Sequence, residues 1–465
     1  MAKRRLSAIL ALDVVGYSRM MNDNAAGVLS ALNELYKSVV TPAVAAGEGR
    51  VVKLLGDGAL IEFSSAAQAI QCAVSIQQDL RKPETPYRCP DPLRLRAGLH
   101  AGDVVIEGDD IFGDGVNIAA RLQAAAQPGG ILASRIFCDL AGSDVPVRLV
   151  REGAHSFKGM ANPIEVLSVD FSDPEEAERR ASIARTQEVR FLKTKDNVSV
   201  AWVSNGEGAP VVKAPHWIGH LELDWRNPGL AAITASLADR YRLVRFDARG
   251  NGLSDWNAKD ISFERYVDDM EQVFDAAGIE RAPIVGVSQG AAYSIAFAAR
   301  RPERVSALLI IGGFALGRAQ RKLKKDRDLA KAFSSMMTAG WEDEFPSLRD
   351  LMAQIIIPGA SEEERRLYAK DMRQMITPEN IKRIRKVVDY LDITPLLPEI
   401  DVPCLVCHCT GDRMQPIEQG RALAAGLKNA RFLAYDSSNH LVTETDPIWP
   451  LLERDMHGFL ADHAA

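Results

Sequence analysis

The sequence has little that would direct the protein to a structural metal site, to nucleic acid or into a membrane. Its 465 residues include only six cysteines, which lack the paired Cys-x-x-Cys…Cys-x-x-Cys pattern and the Cys/His spacing of metal sites. The formal net charge of −6 argues against nucleic-acid binding, because domains that grip phosphate backbones are usually basic. No stretch reaches the roughly 18 apolar residues that a membrane-spanning helix needs. We therefore expect neither nucleic-acid nor membrane partners.

The first residues resemble a signal peptide only in part. Lys3, Arg4 and Arg5 precede an apolar run, but Asp13 interrupts that run and no small-residue cleavage site follows cleanly. The segment is therefore predicted to be a first strand.

Cysteine use points to a reducing compartment. Cys404, Cys407 and Cys409 lie in a Val/Leu-rich run, which is typical of buried thiols on a strand. We expect reduced thiols and a cytoplasmic location.

Length and composition predict more than one domain. A chain with 47% hydrophobic and 25% charged residues is typical of globular proteins, and 465 residues exceed one ordinary core. Residues 1–170 alternate strand and helix patterns, with a strand pair expected over 93–106. Residues 171–190 are charged and are predicted to be a linker. Residues 191–465 again alternate short apolar strands with helices, the pattern of a doubly wound parallel α/β sheet.

The second domain contains a helical insertion. Between residues about 318 and 392 the pattern becomes helical and strongly charged, which predicts a cap over the sheet. A run of Lys and Arg extends from Arg318 to Arg327. We interpret this run as a solvated face of the cap and not as a binding patch.

Two acidic residues lie in loops next to strands in the first domain. Asp13 ends the first strand, and Asp57 occupies the tip of a Gly-Asp-Gly hairpin. An isolated Asp-Gly turn is ordinary, but two carboxylates at neighbouring strand ends can hold a pair of divalent ions.

A later segment strengthens that interpretation. Asp110 begins the stretch Asp-Ile-Phe-Gly-Asp-Gly-Val-Asn-Ile-Ala-Ala-Arg. Asn117 and Arg121 are four residues apart at the start of a helix, so they share one face. An amide and a guanidinium placed side by side can orient a ribose and neutralise charge on a phosphorane.

These segments together resemble the class III nucleotidyl cyclases, from about Leu6 to Val169. The resemblance implies a ferredoxin-like α+β domain in which Asp13 and Asp57 bind the metals. It also implies that Lys53 and Asp110 read the adenine edge, with the lysine donating to N1 and the carboxylate accepting from the 6-amino group. Guanylate cyclases of this family have Glu and Cys or a similar small polar residue there, so the pair favours ATP.

The same resemblance implies further roles. Asn117 and Arg121 match the transition-state pair, and Lys158 matches a triphosphate-binding lysine more loosely. The backbone amides of the strand-to-helix turn would cradle phosphates. The residues of that turn are Val14, Val15, Gly16, Tyr17 and Ser18.

The implied reaction needs no protein nucleophile. The ribose 3′-oxygen attacks the α-phosphorus of ATP and expels pyrophosphate, with two Mg²⁺ or Mn²⁺ ions in each active site. In the family, the metal-binding acids of one protomer face the Lys, Asp, Asn and Arg of the other. The resemblance therefore implies a homodimer with two shared sites.

The second domain carries the pattern of a serine hydrolase. Ser288, in Gly-Val-Ser-Gln-Gly, follows an apolar strand and precedes an Ala-rich helix, as a nucleophile elbow requires. Asp412 and His440 each follow a later strand, and the order Ser, Asp, His is that of α/β-hydrolases. Residues about 195–463 resemble that fold as a whole.

One segment departs from the hydrolase pattern. Many members have His-Gly after the third strand, where a backbone amide completes the oxyanion hole. Here His216 is followed by Trp217 and Ile218, one of which would have to supply that amide. A displaced donor would slow turnover while leaving binding intact.

Three functional hypotheses remain open from the sequence. The protein is an adenylate cyclase with a regulatory, ligand-sensing hydrolase-like half; or it is bifunctional, with an active esterase-type hydrolase; or both halves are degenerate and the chain is a dimerising binding protein. The small molecule recognised by the second domain is not specified by its sequence.

Overall fold

Two separately packed units make up the chain, Met1–Glu176 and Ala177–Ala465. The division falls inside the predicted linker 171–190, of which residues 172–181 and 185 lie outside the described part of the chain. The computed structural model describes residues 3–81, 93–108, 110–142, 145, 147–157, 160, 162–171, 182–184, 186–339, 341 and 346–464.

The first unit contains eight strands in one sheet. Its strands are β1 (Lys3–Val14), β2 (Arg50–Leu55), β3 (Gly58–Phe63), β4 (Leu95–Glu107), β5 (Asp110–Phe112), β6 (Ile131–Ser134), β7 (Arg148–His155) and β8 (Ile164–Asp170). The order across the sheet is β2-β3-β1-β4-β6-β8-β7, and β5 pairs with β4. Its described helices are α1 (Tyr17–Leu35), α2 (Thr41–Ala46), α3 (Ala66–Arg81), α4 (Asp114–Ala125) and α5 (Arg135–Ala141).

The alternation of side chains along β1 supplies both faces of this sheet. Leu10 and Leu12 lie in the larger core, which also contains residues of α1, α3 and α5. Ile9 and Ala11 point the other way, into a smaller core with Ala119 of α4. The central strand is therefore apolar on both faces until it reaches Asp13.

The strand pair predicted over residues 93–106 is wrong. This segment is one strand, β4, which pairs with β1 over twelve consecutive positions from Leu95 to Ile106. Gly98 does not mark a turn here. A Cβ at this position would lie 2.2 Å from the Ala119 carbonyl oxygen and from the Gln123 nitrogen, so the glycine lets β4 pass directly under α4.

The second unit is a mostly parallel sheet covered by helices. Its strands are β9 (Arg190–Lys193), β10 (Ser199–Asn205), β11 (Pro210–Lys213), β12 (Arg242–Phe246), β13 (Ala282–Val287), β14 (Val305–Ile311), β15 (Cys404–Cys409) and β16 (Ala430–Tyr435). Their order is β16-β15-β14-β13-β11-β12-β10-β9. Strands β11 to β16 are parallel, and β10 and β9 join antiparallel at one end.

Helices cover this sheet and form the insertion. The described helices outside the insertion are α6 (Ala231–Arg240), α7 (Phe263–Ala276), α8 (Gly290–Arg300), α13 (Ile417–Gly426) and α14 (Trp449–Ala461). The described helices of the insertion are α9 (Lys324–Ala339), α10 (Pro346–Ile356), α11 (Glu362–Met375) and α12 (Pro378–Asp389). We call this insertion the cap. Cys404, Cys407 and Cys409 are buried on β15, as predicted.

The charged run at the start of the cap is only partly a solvated face. Lys322 and Lys324 are exposed, but Arg318 and Arg321 are both only 5% exposed. Arg318 donates to the Met414 carbonyl oxygen, and Arg321 donates to Gln415 Oε1 at 2.5 Å. The prediction was wrong for these two arginines, because acceptors on a distant loop turn them inward.

The close contact between β4 and α4 predicts that a side chain at Gly98 destabilises the first unit. Gly98→Ala should lower the free energy of unfolding of the first unit by about 1–3 kcal/mol, because backbone atoms stand where the methyl group would be. Gly458→Ala is the control. It lies in α14 with nothing near its Cβ position and should raise stability by up to about 1 kcal/mol. Denaturant titration of the full chain measures both, and a Gly98→Ala protein that unfolds like wild type would refute the argument.

Candidate active sites

The two predicted metal-binding acids lie side by side in the first unit. Asp13 pairs with Gly58 in the β1–β3 register, which brings the tip of the β2–β3 hairpin to the end of β1. The carboxylates of Asp13 and Asp57 are within hydrogen-bonding reach. Burial raises the pKa of Asp57, and the negative charge of Asp13 raises it further.

Arg96 is a third member of this cluster that the sequence did not single out. Its Nη2 binds Asp13 Oδ2 at 2.6 Å, and its Nη1 donates to the Ala124 carbonyl oxygen at 3.2 Å. Arg96 stands directly opposite Asp13 in the β1–β4 register. Arg96 is one of four titratable residues on β4, so it does not stand out in the sequence, and its partner can be identified only from the strand pairing.

The residues around Asp13 and Asp57 fit a divalent ion that also binds substrate. In the described part of the chain, no three His, Cys, Asp or Glu side chains cluster as a complete metal site. Mg²⁺ commonly uses one or two carboxylates and takes its other ligands from water and substrate phosphates. Asp13 and Asp57 supply that number of carboxylates, so the fit depends on a phosphorylated ligand.

The turn after β1 presents backbone amides at the start of α1. Gly16 adopts a φ of 73° and caps the helix, and no atom lies within 4 Å of where its side chain would be. The amides of Gly16, Tyr17 and Ser18 therefore begin a helix beside open space, which suits an anion. The Val15 amide instead donates to the Arg94 carbonyl oxygen at 2.9 Å, so this hydrogen bond occupies the amide that was predicted to bind phosphate. Val14 ends β1.

Lys53 and Asp110 form a second cluster on β2 and β5. Lys53 Nζ lies 2.9 and 2.8 Å from the two oxygens of Asp110, and it also lies 5.3 Å from the centre of the Phe112 ring. The Lys53 hydrogen bond lowers the pKa of Asp110, and the Ile111 amide contributes at 2.8 Å. Lysine has three donors and a carboxylate about four acceptor positions, so the pair can remain joined while both contact a base.

Asn117 and Arg121 lie on α4, one turn apart. Neither side chain has a hydrogen-bond partner among the described residues, so both remain available to a ligand. The structure forms the Asp13–Asp57 and Lys53–Asp110 pairs. Arg96 connects the first pair to the Ala124 carbonyl oxygen of α4, but no described hydrogen bond or ion pair joins it to the second pair or to the side chains of Asn117 and Arg121. Lys158 lies outside the described residues.

Ser288 of the second unit sits on a strained turn between β13 and α8. Its φ is 53°, a left-handed conformation that side-chain-bearing residues rarely adopt. The flanking glycines permit the turn. A Cβ on Gly286 would approach Ala291 Cα to 2.8 Å, and one on Gly290 would approach the Pro215 carbonyl oxygen to 2.9 Å.

Ser288, His440 and Asp412 form a continuous hydrogen-bonded chain. His440 Nε2 lies 2.7 Å from Ser288 Oγ, and His440 Nδ1 lies 2.7 Å from Asp412 Oδ2. The three residues are buried, with Ser288 only 6% exposed. In this arrangement the imidazole can take the serine proton while the carboxylate fixes its orientation.

Backbone amides and a second histidine hold Asp412. The amides of Met414 and Gln415 each donate to Asp412 Oδ1 at 2.8 Å. His408 Nε2 lies 2.8 Å from the Gln415 carbonyl oxygen and 3.5 Å from Asp412 Oδ2. This role of His408 could not be predicted from the sequence, because His408 lies within the buried strand β15.

The oxyanion region has two candidate donors. The Gln289 amide begins α8 directly after Ser288, and the Trp217 amide lies on the loop after β11; neither has an acceptor among the described residues. His216 is buried, and burial lowers its pKa to about 3, so its imidazole stays neutral at pH 7.

Comparison with known proteins identifies both units. Residues 3–165 match the family model of the adenylate and guanylate cyclase catalytic domain, and residues 217–447 match that of the α/β hydrolase fold.

Individual relatives match one half of the chain each. A Rhizobium meliloti protein named putative adenylate cyclase 3 is 35% identical over 208 residues, which cover 45% of this chain and 35% of that protein. This chain therefore spans about a third of that relative. The 2-hydroxy-6-oxononadienedioate/2-hydroxy-6-oxononatrienedioate hydrolase of Paraburkholderia xenovorans is 25% identical over 277 residues, 56% of this chain and 91% of that protein. The solved adenylate/guanylate cyclase/hydrolase from Silicibacter pomeroyi is 38% identical and covers 37% of this chain and 99% of its own, with a TM-score of 0.35.

No helix in the described residues is both long and apolar enough to cross a bilayer.

The first unit belongs to the class III adenylate and guanylate cyclase family, and the second unit belongs to the α/β-hydrolase fold family.

Proposed function

We propose that the first unit is an adenylate cyclase that converts ATP to cyclic AMP and pyrophosphate. The observation that carries this proposal is the juxtaposition of Asp13, Asp57 and Arg96 at the end of β1, next to the amides that begin α1. The adenylate cyclase name of the Rhizobium relative supports it. Two divalent ions bound by the two carboxylates would activate the attacking hydroxyl and neutralise the triphosphate.

The chain's own residues then have separate tasks. The 3′-oxygen of the ribose bonds to the α-phosphorus, its proton leaves, and the bond to the bridging oxygen of pyrophosphate breaks. Asp13 and Asp57 would hold the divalent ions, and Arg96, which binds Asp13 Oδ2, supplies positive charge beside the triphosphate. Asn117 orients the ribose, and Arg121 neutralises charge on the pentavalent phosphorus.

We also assign the complete site to two copies of the chain. Leu54 is 59% exposed, Leu55 57% and Phe112 47%. Leu54 and Leu55 follow Lys53 on β2, and the Phe112 ring lies 5.3 Å from Lys53 Nζ. An exposed apolar patch beside a polar recognition pair is typical of an interface. A second copy would bring its Lys53, Asp110, Asn117 and Arg121 to the Asp13–Asp57 pair of the first.

The Lys53–Asp110 pair predicts the choice of base. The wild-type protein should prefer ATP, because guanine has a donor where adenine has the N1 acceptor and a carbonyl where adenine has the amino group. Unpaired buried polar groups cost about 1–3 kcal/mol each, which predicts a preference of at least about tenfold in kcat/KM. Lys53→Glu with Asp110→Cys should shift the preference towards GTP.

The measurement is formation of cyclic AMP and cyclic GMP by the same preparation. Lys37→Gln makes the same net charge change as the double variant at an exposed residue of the first unit and should leave the preference unchanged. Equal efficiency of the wild-type protein with ATP and GTP would contradict the assignment.

Sharing of the site between two copies predicts complementation. Asp57→Ala and Arg121→Ala should each abolish turnover. A freely exchanging equal mixture should recover about a quarter of wild-type activity, because half the dimers are mixed and each has one intact site. The double variant Asp57→Ala/Arg121→Ala should rescue neither single variant. If exchange is proven and the mixture stays inactive, both residue sets act within one chain.

The geometry of Ser288 supports a second function in the hydrolase-fold unit. We infer that Ser288 is a nucleophile towards an ester or related acyl substrate. The hydrogen bonds from Ser288 to His440 and from His440 to Asp412 are those that activate a serine hydroxyl. The identity of the substrate is left open by these contacts, and a sensor that binds without rapid turnover uses the same residues.

A fluorophosphonate probe tests this nucleophile. Ser288 Oγ should bond to phosphorus, fluoride should leave, and His440 should take the proton. Ser288→Ala should not react, and Asp412→Asn should react about 10³–10⁴-fold more slowly, because the imidazole of His440 is then held in the wrong tautomer. Cyclase activity in the same sample is the control for folding. We expect slow cleavage of p-nitrophenyl esters, because Trp217 replaces the usual glycine. Absence of labelling in a cyclase-active protein would refute the hydrolase chemistry.

A further inference from the structure

The loop 216–226, which follows β11, contacts the cap on one side. The Trp217 ring meets the Trp341 ring edge-on, with centroids 6.3 Å apart at 82°. Arg226 binds Asp371 on α11 through Nε at 3.1 Å and Nη2 at 2.7 Å, and the Asp371 side chain is fully buried. Movement of the cap away from Ser288 must therefore break these contacts or displace the loop.

The other side of the same loop is held by a residue of the predicted linker. Gln187 Oε1 accepts hydrogen bonds from Trp225 Nε1 and Arg245 Nη2, both at 2.8 Å. Gln187 Nε2 donates to the Leu221 carbonyl oxygen at 3.3 Å. Val189, two residues later, packs against the small core that contains Leu221. The chain entering the second unit is thus fastened to the loop before it reaches β9.

The loop between these two attachments is also tied to itself and to the end of β12. The Asp224 amide donates to the His220 carbonyl oxygen at 2.9 Å, and the Leu221 amide donates to Asp247 Oδ2 at 3.1 Å. Arg245 on β12 is 2% exposed and its guanidinium lies 5.1 Å from the Trp225 ring centre. Because losing any one of these buried contacts leaves a desolvated group unpaired, a strain applied at one attachment of the loop is passed to the others.

We propose that the loop 216–226 transmits the position of the cap to the linker through Gln187, so that occupancy of the Ser288 pocket changes cyclase turnover. The proposal rests on the proposed ligand binding at Ser288. Ser288 is 6% exposed, so a ligand that reaches it must displace neighbouring side chains. Any accompanying shift of the cap acts on the loop through the Arg226–Asp371 pair, and Gln187 joins the loop to the segment that precedes β9. Gln187 is a positioning residue in this scheme.

Hydrogen exchange of the full-length protein tests the physical link without any ligand. Gln187→Met keeps the volume of the side chain but removes its three hydrogen bonds. We expect amides of the loop 216–226 and of α11 to exchange about tenfold faster. Gln187→Glu keeps both acceptor contacts and should restore most of the protection.

Gln272→Met is the matched control. Gln272 on α7 also ties the start of the second unit, because its Oε1 accepts from the Lys195 amide at 2.9 Å, but it does not touch the loop. This variant should leave the exchange of the loop and of α11 unchanged. Faster exchange confined to the linker in Gln187→Met, with α11 as protected as in wild type, would overturn the proposal.

Covalent capping of Ser288 by the fluorophosphonate tests the functional consequence. In wild type, capping should change cyclase kcat by about fivefold or more. In Gln187→Met the change should fall within about 1.5-fold, while uncapped kcat and the KM for ATP remain those of wild type; Gln272→Met should respond like wild type. Complete labelling of wild type with no change in kcat, or an undiminished response in Gln187→Met, would overturn the proposal. If Ser288 does not label, the hydrolase chemistry fails, and the exchange experiment decides the link by itself.

Discussion

Repulsion between Asp13 and Asp57 is the constraint around which the cyclase unit is built. Two carboxylates within hydrogen-bonding reach disfavour each other's ionisation, and they remain together because the β1–β3 register allows no other arrangement. Gly58 makes that register possible, since a Cβ there would lie 2.6 Å from the Leu12 carbonyl oxygen. Arg96 offsets part of the charge of Asp13. Under the proposed function, a divalent ion would offset the negative charge that remains, so the strand pairing favours cation binding at this position.

The hydrolase-fold unit holds a different kind of strain by the same means. The left-handed backbone of Ser288 costs about 1–3 kcal/mol, and it persists only because its surroundings leave no alternative. Strand β13 is paired on both sides, with β11 and β14, and its following turn is wedged between Gly286 and Gly290. In both units a reactive side chain is placed by close backbone contact and not by flexible side-chain packing. This placement explains why glycines mark each site so clearly in the sequence.

That dependence on glycine also explains what the sequence predicts and what it does not. Asp57 and Ser288 could be predicted because their turns are local and glycine-flanked. Arg96 and His408 could not, because each acts through a partner that only strand register or a distant loop supplies. Arg318 and Arg321 were placed wrongly for the same reason: the acceptors that turn them inward, on Met414 and Gln415, lie far along the chain.

Glycines also serve packing within a strand. Residues 93–106 were predicted to be a strand pair but form one strand, in which Gly98 allows contact with α4 and Gly102 lies against His100 and Gly115. Periodicity therefore predicted the elements of both sheets, while the role of each glycine could be assigned only from the structure.

The enclosed triad also bears on the choice between catalysis and sensing. A ligand shifts the cap only by its difference in affinity for the open and closed states, and moving that balance from 1:99 to 99:1 needs about 10⁴-fold discrimination. A covalent bond to Ser288 holds its acyl group in the pocket for the lifetime of the adduct, without that demand on affinity. Slow deacylation at a constricted oxyanion hole would then prolong the signal, so weak hydrolase turnover and effective sensing are compatible properties of one site.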